Sequence, residues 1–269
     1  MTTHTAFIGS GNMASAMVDG LLARDPNARA KLGCYSAADG TAETLAKRTG
    51  IARATDLPAL LAPADLVVLA FKPQHLASAD PQLTTLTRGK LVLSILAGKP
   101  LAALVQVFPQ ARNVVRVMPN TPAAIGAGIS AYCSRDPLSP ADRDIVETLL
   151  GAMGQFLALP EEQMNAVTAL SGSGPAFLFE FVAALRDGGI AAGLAPEMAA
   201  QLAMHTVLGS AQLLVKRGVD PETLRNQVTS PNGTTLAGLQ QLQAGDFRGL
   251  IKKTILAAQA RAVELAREG

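Results

Sequence analysis

The sequence predicts an α/β domain over residues 1–160 followed by an all-helical domain over residues 161–269. Three observations carry that reading. In the first part, short apolar runs alternate with helix-spaced segments, as in parallel strands joined by crossover helices. After Pro160 the strand-like runs stop, and helical patterns follow one another with prolines at several starts and glycines after several ends. The first apolar run also leads straight into Gly9, Ser10 and Gly11, after which Met13, Met17 and Leu21 repeat at helical spacing. That stretch reads as strand, tight turn and helix.

The strand-like runs are Thr5–Ile8, Leu32–Tyr35, Leu66–Ala70, Leu91–Leu96 and Val114–Met118. Helix-like segments fall between them at Met13–Arg24, Thr41–Thr49, Leu57–Leu61 and Leu101–Phe108. Two more strands are predicted at Gly128–Cys133 and Gln155–Leu159, separated by a helix over Pro140–Leu150. The remaining helices are expected at Glu162–Leu170, Pro175–Ala192, Pro196–Val215, Pro221–Gln227, Thr234–Ala244 and Phe247–Arg267.

One of these helices raises a membrane question. Met198–Val215 contains no Asp, Glu, Lys or Arg and is long enough to span a bilayer. Gln201, His205, Ser210 and Gln212 would each be expensive in hydrocarbon. A helix apolar nearly all round is expected to be covered on every side, in a domain this small by a second subunit. The reading is therefore no membrane.

Composition narrows the function further. The 269 residues are 49% hydrophobic and 16% charged, enough apolar material for a large core and unlike a disordered chain. The net charge of +2, with no Lys/Arg-rich stripe, argues against a nucleic-acid partner. The two cysteines, Cys34 and Cys133, lie in apolar strand-like runs and read as buried reduced thiols. No metal-ligand cluster is visible. The glycine turn arrives by Gly9, leaving no room for a signal peptide, so the expected location is cytoplasmic.

Gly9 to Ala14 fits G-x-G-x-x-A in the context that gives this pattern its meaning: strand before, helix after, at the start of a repeating β/α unit. One glycine lets the chain turn sharply, and the next lets the backbone approach a ligand. The free N–H groups opening the helix aim at an anion there. Gly9, Ser10, Gly11, Asn12 and Met13 are thus the expected seat of a dinucleotide. The second strand ends Cys34-Tyr35-Ser36 with no acid at its tip, and Asp39 is expected already inside the next helix. A missing carboxylate removes repulsion toward a 2′-phosphate, and Ser36 could donate to one, which favours NADPH with NADH as the alternative. No Arg follows at once, so the cation that would meet the phosphate is unidentified. Three loops follow strands on the same edge: "LAFKPQ" with Ala70, Phe71, Lys72 and Pro73, "LAGKP" with Ala97 and Gly98, and "MPNTP" with Asn120. They complete the expected cofactor groove.

In this order, the pieces resemble pyrroline-5-carboxylate reductase over essentially the whole chain. The glycine turn, "FKPQ", "LAG" and "VMPNTP" resemble that family's cofactor half. "ALSGSGPAF" (Ala169–Phe177), "RDGGIAAGL" (Arg186–Leu194) and "VTSPNGTTLAGL" (Val228–Leu239) resemble its helical half. The resemblance implies an oxidoreductase of amino-acid biosynthesis. It would reduce 1-pyrroline-5-carboxylate to L-proline with NAD(P)H, the last step of proline biosynthesis. It also implies an N-terminal Rossmann-type domain and a C-terminal helical dimerisation domain making an intertwined homodimer, with dimers assembling as a ring of five. The sequence departs from the family at Asn232, where the first glycine of Ser-Pro-Gly-Gly is usual. Gln227 stands where some members have Asn, and Leu57 where an Asn near the adenosine ribose is usual.

The residues themselves favour chemistry that leans on a cofactor. No Ser-His-Asp arrangement can be placed; neither His4 nor His205 is a good general base, and His75 reads more simply as a loop residue beside the cofactor edge. "SPNGTT" lies between two helices, and Ser230, Gly233, Thr234 and Thr235 together suit a small anion cradle. An ordinary helix cap is the competing reading. By resemblance, Ser230, Gly233 and Thr234 hold the substrate carboxylate, and the Thr235 hydroxyl lies near the ring nitrogen as the catalytic donor. Glu161 matches a position near the substrate, although a first-turn helix acid is as good a reading. Ser173, in "SGSGPA", is placed by resemblance near the active site. Two rival functions remain. A β-hydroxyacid dehydrogenase would carry a catalytic Lys on the interdomain helix, yet Pro175–Ala192 has none. A non-catalytic dinucleotide sensor would have no use for the polar cradle.

Overall fold

The computed structural model describes residues 3–37 and 39–267. They form two compact units, Met1–Ser173 with Ala258–Gly269, and Gly174–Ala257.

The first unit is built on an eight-stranded sheet, ordered β3-β2-β1-β4-β5-β6-β7-β8. The strands are β1 (Thr5–Ile8), β2 (Leu32–Tyr35), β3 (Ala52–Arg53), β4 (Leu66–Leu69), β5 (Leu91–Ser94), β6 (Asn113–Met118), β7 (Gly128–Ser134) and β8 (Gly154–Ala158). Between them run α1 (Asn12–Arg24), α2 (Thr41–Thr49), α3 (Leu57–Leu61), α4 (Leu83–Leu86), α5 (Leu101–Val107) and α6 (Pro140–Gly151). Strands β1 to β6 pair in parallel, and the strand order reverses at β1 and β4, which lie side by side.

Continuous apolar strands suit burial on both faces. Phe7, Val68, Leu93 and Val115 point into one core, with Met17 and Leu21 of α1 and Leu149 of α6. Their neighbours Ala6, Ile8, Val67, Leu69 and Val92 point into the other, with Leu60 of α3 and Leu104 of α5. The two-residue β3 is exposed and carries no apolar run, so the sequence pattern does not reveal it. Strand β7 runs antiparallel to β6, a direction that strand–helix alternation does not anticipate. The connection between them is only a 3₁₀ turn, Thr121–Ile125, closed by Gly126 at φ 69°. A parallel crossover needs a dozen residues or more, so the chain doubles back.

The expected helix Glu162–Leu170 is broken into three pieces. A 3₁₀ turn at Glu161–Gln163 leads to α7 (Met164–Val167) and then to a π-helical turn, Thr168–Gly172.

The second unit holds α8 (Gly174–Ala191), α9 (Pro196–Arg217), α10 (Pro221–Gln227), α11 (Thr234–Ala244) and the start of α12 (Phe247–Arg267). Small residues bring α8 and α9 together: a Cβ on Gly189 would sit 3.2 Å from that of Ala199. Only Ala199 and Ala203 of α9 are buried, and no residue of α8, α10 or α11 is. Met198 (55%), Leu202 (51%) and Phe179 (66%) remain widely exposed. Burial inside one protomer therefore does not cover Met198–Val215. By length and composition, two helical stretches, Glu161–Ala191 and Pro196–Arg217, could cross a membrane.

Candidate functional site

The carboxyl ends of β1 and β4 meet at the glycine turn. Gly9 donates its N–H to Tyr35 O at 2.8 Å, and Ala70 donates its N–H to Ile8 O at 2.8 Å. Gly9 has φ 98°, and a Cβ there would overlap the backbone of Ala70 and Phe71. Only glycine fits. Gly11 is different: it precedes α1, and a Cβ on it would meet nothing within 4 Å. The fold itself does not require glycine at that position. A ligand lying against the backbone would.

Gly11 offers no side-chain cap to α1, so the opening N–H groups are left for an anion. These features fit a dinucleotide pyrophosphate. Asn12 is exposed, and Met13 packs onto the core. The Ser10 hydroxyl is buried without a partner in hydrogen-bonding geometry. Its neighbour is the Cys34 thiol, pushed up from its ordinary pKa by burial, with Ser10 opposing the shift. Both cysteines are free and buried; burial also pushes Cys133 up, to about 11.

The tip of β2 corrects one expectation. Asp39 does not lie inside the helix; α2 begins at Thr41, after Gly40 at φ 74°. Its carboxylate turns back to the strand tip, and Asp39 Oδ1 accepts from Thr41 N (3.0 Å), Thr41 Oγ1 (2.7 Å) and Ser36 Oγ (3.0 Å). The Thr41 N–H, then its hydroxyl, and more weakly Ser36, hold this carboxyl below the usual carboxylate range. The tip therefore carries an acid after all. Arg53, the residue on β3 in register with Cys34, is paired with Glu43.

The remaining loops lie beyond the carboxyl ends of β4, β5 and β6. Ala70 and Phe71 pack on the core, Lys72 is exposed, and Pro73 opens a 3₁₀ turn. Ala97 is exposed. Gly98, at φ 75°, lies against Leu265 near the end of α12, so its backbone and packing explain the glycine there. Asn120 Oδ1 accepts from Ile129 N at 2.9 Å and holds the start of β7. A groove of about 320 Å³ separates the first turns of α1 from Thr121 and Ala124.

Met118 of "MPNTP" and Gly172 of "SGSGPA" also meet within this unit. A Cβ on Gly172 would overlap the Met118 methyl group. Ser173 N donates to Thr168 O at 2.9 Å, closing the π turn, a distortion that often marks functional sites.

Glu161 has a structural task that sequence reading missed. Its Oε1 accepts from Leu101 N at 2.6 Å, at the start of α5, and from Arg116 Nη1 at 3.1 Å. The Arg116 side chain is only 7% exposed. A lone charge inside the apolar run "NVVRVM" was the available signal for a buried arginine needing an acid. These contacts occupy one Glu161 oxygen.

The "SPNGTT" turn lies wholly in the second unit. Asn232 adopts φ 60°, a backbone that Asn tolerates better than most residues, so the turn survives the missing glycine. Gly233 N donates to Ser230 O at 3.1 Å, and a Cβ on Gly233 would overlap Ser230 Oγ. Gly233 precedes α11 and gives it no side-chain cap. Among the described residues, the Thr234 and Thr235 hydroxyls make no hydrogen bond, and both residues are exposed. They are not spent on capping the helix. Ser230, Gly233, Thr234 and Thr235 thus share one turn, while Glu161, Ser173 and the candidate cofactor residues belong to the first unit.

Two family models match the chain. Residues 4–98 match the family model described as NADP oxidoreductase, coenzyme F420-dependent. Residues 161–265 match the model for pyrroline-5-carboxylate reductase dimerisation. The pyrroline-5-carboxylate reductase of Pseudomonas aeruginosa is 41% identical, over 99% of this chain and 98% of that protein. Among solved structures, a pyrroline-5-carboxylate reductase from Coxiella burnetii has a TM-score of 0.93 at 31% identity, covering 99% of both chains. The Plasmodium falciparum pyrroline carboxylate reductase with NADP bound has a TM-score of 0.84 at 27% identity, covering 98% of both.

Proposed function

The chain belongs to the pyrroline-5-carboxylate reductase family, and from that premise we propose that it reduces 1-pyrroline-5-carboxylate to L-proline, completing proline biosynthesis. The observation that carries the proposal is the 41% identity to the Pseudomonas aeruginosa reductase across the whole chain. The coenzyme is NADPH, with NADH also accepted, and it supplies the hydride that adds to the imine carbon. The ring nitrogen takes a proton, so one imine, one hydride and one proton give one proline.

The chain's residues position these partners. Gly9, Ser10, Gly11, Asn12 and Met13 take the pyrophosphate, and Ser36 stands at the adenosine ribose. Ala70, Phe71, Lys72, Pro73, Ala97, Gly98 and Asn120 line the rest of the coenzyme edge. Ser230, Gly233 and Thr234 hold the substrate carboxylate. The uncapped N–H groups and unspent hydroxyls of that turn support this role. The Thr235 hydroxyl donates a hydrogen bond to the ring nitrogen and is the donor beside it when the nitrogen takes up its proton. Glu161 and Ser173, both of the first unit, are the further candidates for contacting the substrate.

The functional boundary falls at 160/161, with a coenzyme domain over 1–160 and a substrate and dimerisation domain over 161–269. The exposed apolar side chains of α9 pack in a homodimer, and five dimers form a ring in the cytoplasm.

The test is NADPH oxidation followed by absorbance, first with pyrroline-5-carboxylate and then with the oxidised form of a β-hydroxyacid. Turnover with the cyclic imine alone is expected. Turnover with the hydroxyacid pair would favour a dehydrogenase, and coenzyme binding without turnover would favour a sensor.

A further inference from the structure

We propose that Asp39 sets how far this chain discriminates between the two coenzymes: it opposes a 2′-phosphate at the end of β2 and offers an acceptor to a 2′-hydroxyl. The proposal rests on the reading that the dinucleotide lies across the glycine turn.

Ile8 and Tyr35 are in register on β1 and β2, and Gly9 N bonds to Tyr35 O. The tip of β2 is therefore next to the glycine turn, where a dinucleotide draped over the reversal in strand order puts its adenosine ribose. The side chains gathered there are Ser36, Asp39 and Thr41. Among the described residues, Ser36 Oγ, Thr41 N and Thr41 Oγ1 all donate to Asp39 Oδ1, and its other oxygen stands in an exposed position with acceptor capacity. A ribose 2′-hydroxyl can donate to that oxygen.

A 2′-phosphate meets the opposite situation. The Ser36 hydroxyl has one hydrogen and gives it to Asp39, while its oxygen accepts from Ala42 N at 3.2 Å. To receive a bond from Ser36, a phosphate must break the Ser36–Asp39 contact and stand beside a fixed carboxylate. Arg53, the cation in register with Cys34 on the β2–β3 edge, is already paired with Glu43 and does little to offset that repulsion. The Ser36 donor that favours NADPH in the sequence thus works against Asp39 in the structure, and the outcome is a chain that keeps NADH usable.

Asp39→Asn tests this. Asn keeps an oxygen able to accept from Thr41 and Ser36, but it removes the charge. The measurements are kcat/KM for NADPH and for NADH in both forms, and calorimetric binding of 2′,5′-ADP and of ADP. The expected result is a rise of roughly tenfold or more in the NADPH-to-NADH ratio, with 2′,5′-ADP binding tightened and ADP binding not tightened. If both nucleotides bind and neither ratio moves, Asp39 only braces the loop and the proposal is overturned. If neither nucleotide binds the unaltered chain, the seat of the coenzyme at this edge is overturned, and the proposal with it.

Discussion

Strand β4 buries all four of its residues, whereas helix α8 buries none of its eighteen. Both segments are apolar, so composition does not separate them. The first unit finds its covering within itself: α1 and α6 on one face of the sheet, α3 and α5 on the other. The second unit presents Phe179, Met198, Leu202 and Leu208 with no such covering. The same features make α9 pass for a membrane span by composition. The comparison teaches that a self-sufficient fold and a fold completed by a partner can look alike along the chain. They differ in where the apolar side chains end up.

The largest effect is expected from making α9 unable to pair. Leu202→Glu with Leu208→Glu puts charge where a partner is expected. Fully burying a leucine contributes about 1.5–3 kcal/mol, and burying an unpaired carboxylate costs more. The dimer dissociation constant should rise at least about a thousandfold, roughly 4 kcal/mol. Sedimentation velocity would show the dimer replaced by monomer or by aggregate. A variant that sediments as the unaltered chain would mean the α9 face is not an interface.

A smaller effect is expected inside the self-sufficient unit. Gly9→Ala forces a side chain into φ 98° and into the Ala70–Phe71 backbone. The strain and overlap should cost roughly 2–4 kcal/mol. Thermal unfolding should show the loss, and NADPH affinity should fall with it. The dimer should persist, because the damage lies outside α8 and α9. Gly11→Ala sharpens the contrast: its Cβ meets nothing in the fold, so coenzyme affinity should fall while melting temperature stays within a degree or two.

The sequence made these units legible unevenly. The strands of the first unit stood out because a short, continuous apolar run between helix-spaced segments is the pattern of a strand buried on both faces. The boundaries of α2, α3, α10, α11 and α12 fell where Pro and Gly mark them. The direction of β7 was not legible, since it follows from how little chain joins it to β6. Asp39 was misplaced because a loop that folds back is a three-dimensional fact. Its carboxylate turns back to accept from Ser36 at the strand tip. The Glu161–Arg116 contact joins residues far apart in the chain, and only a buried charge hinted at it. The glycines look like one class along the chain but do separate work: Gly9 answers to neighbouring backbone, Gly98 to α12, and Gly11 to nothing in the chain.

The candidate substrate turn divides along the same line. "SPNGTT" was readable as either a cap or a cradle. In the structure the Thr235 hydroxyl is spent on no cap, so removing it should leave stability alone.

The role of this hydroxyl is decided by Thr235→Val, with kcat/KM for pyrroline-5-carboxylate, NADPH affinity and melting temperature taken on one preparation. A hydrogen bond to the ring nitrogen in a dry site is expected to contribute about 1–3 kcal/mol to transition-state stabilisation, roughly ten- to a hundredfold in rate. That loss is expected in kcat/KM, with NADPH affinity and melting temperature nearly unchanged. Unchanged catalysis with a lowered melting temperature would contradict it, leaving Thr235 a helix cap and giving the ring nitrogen another donor.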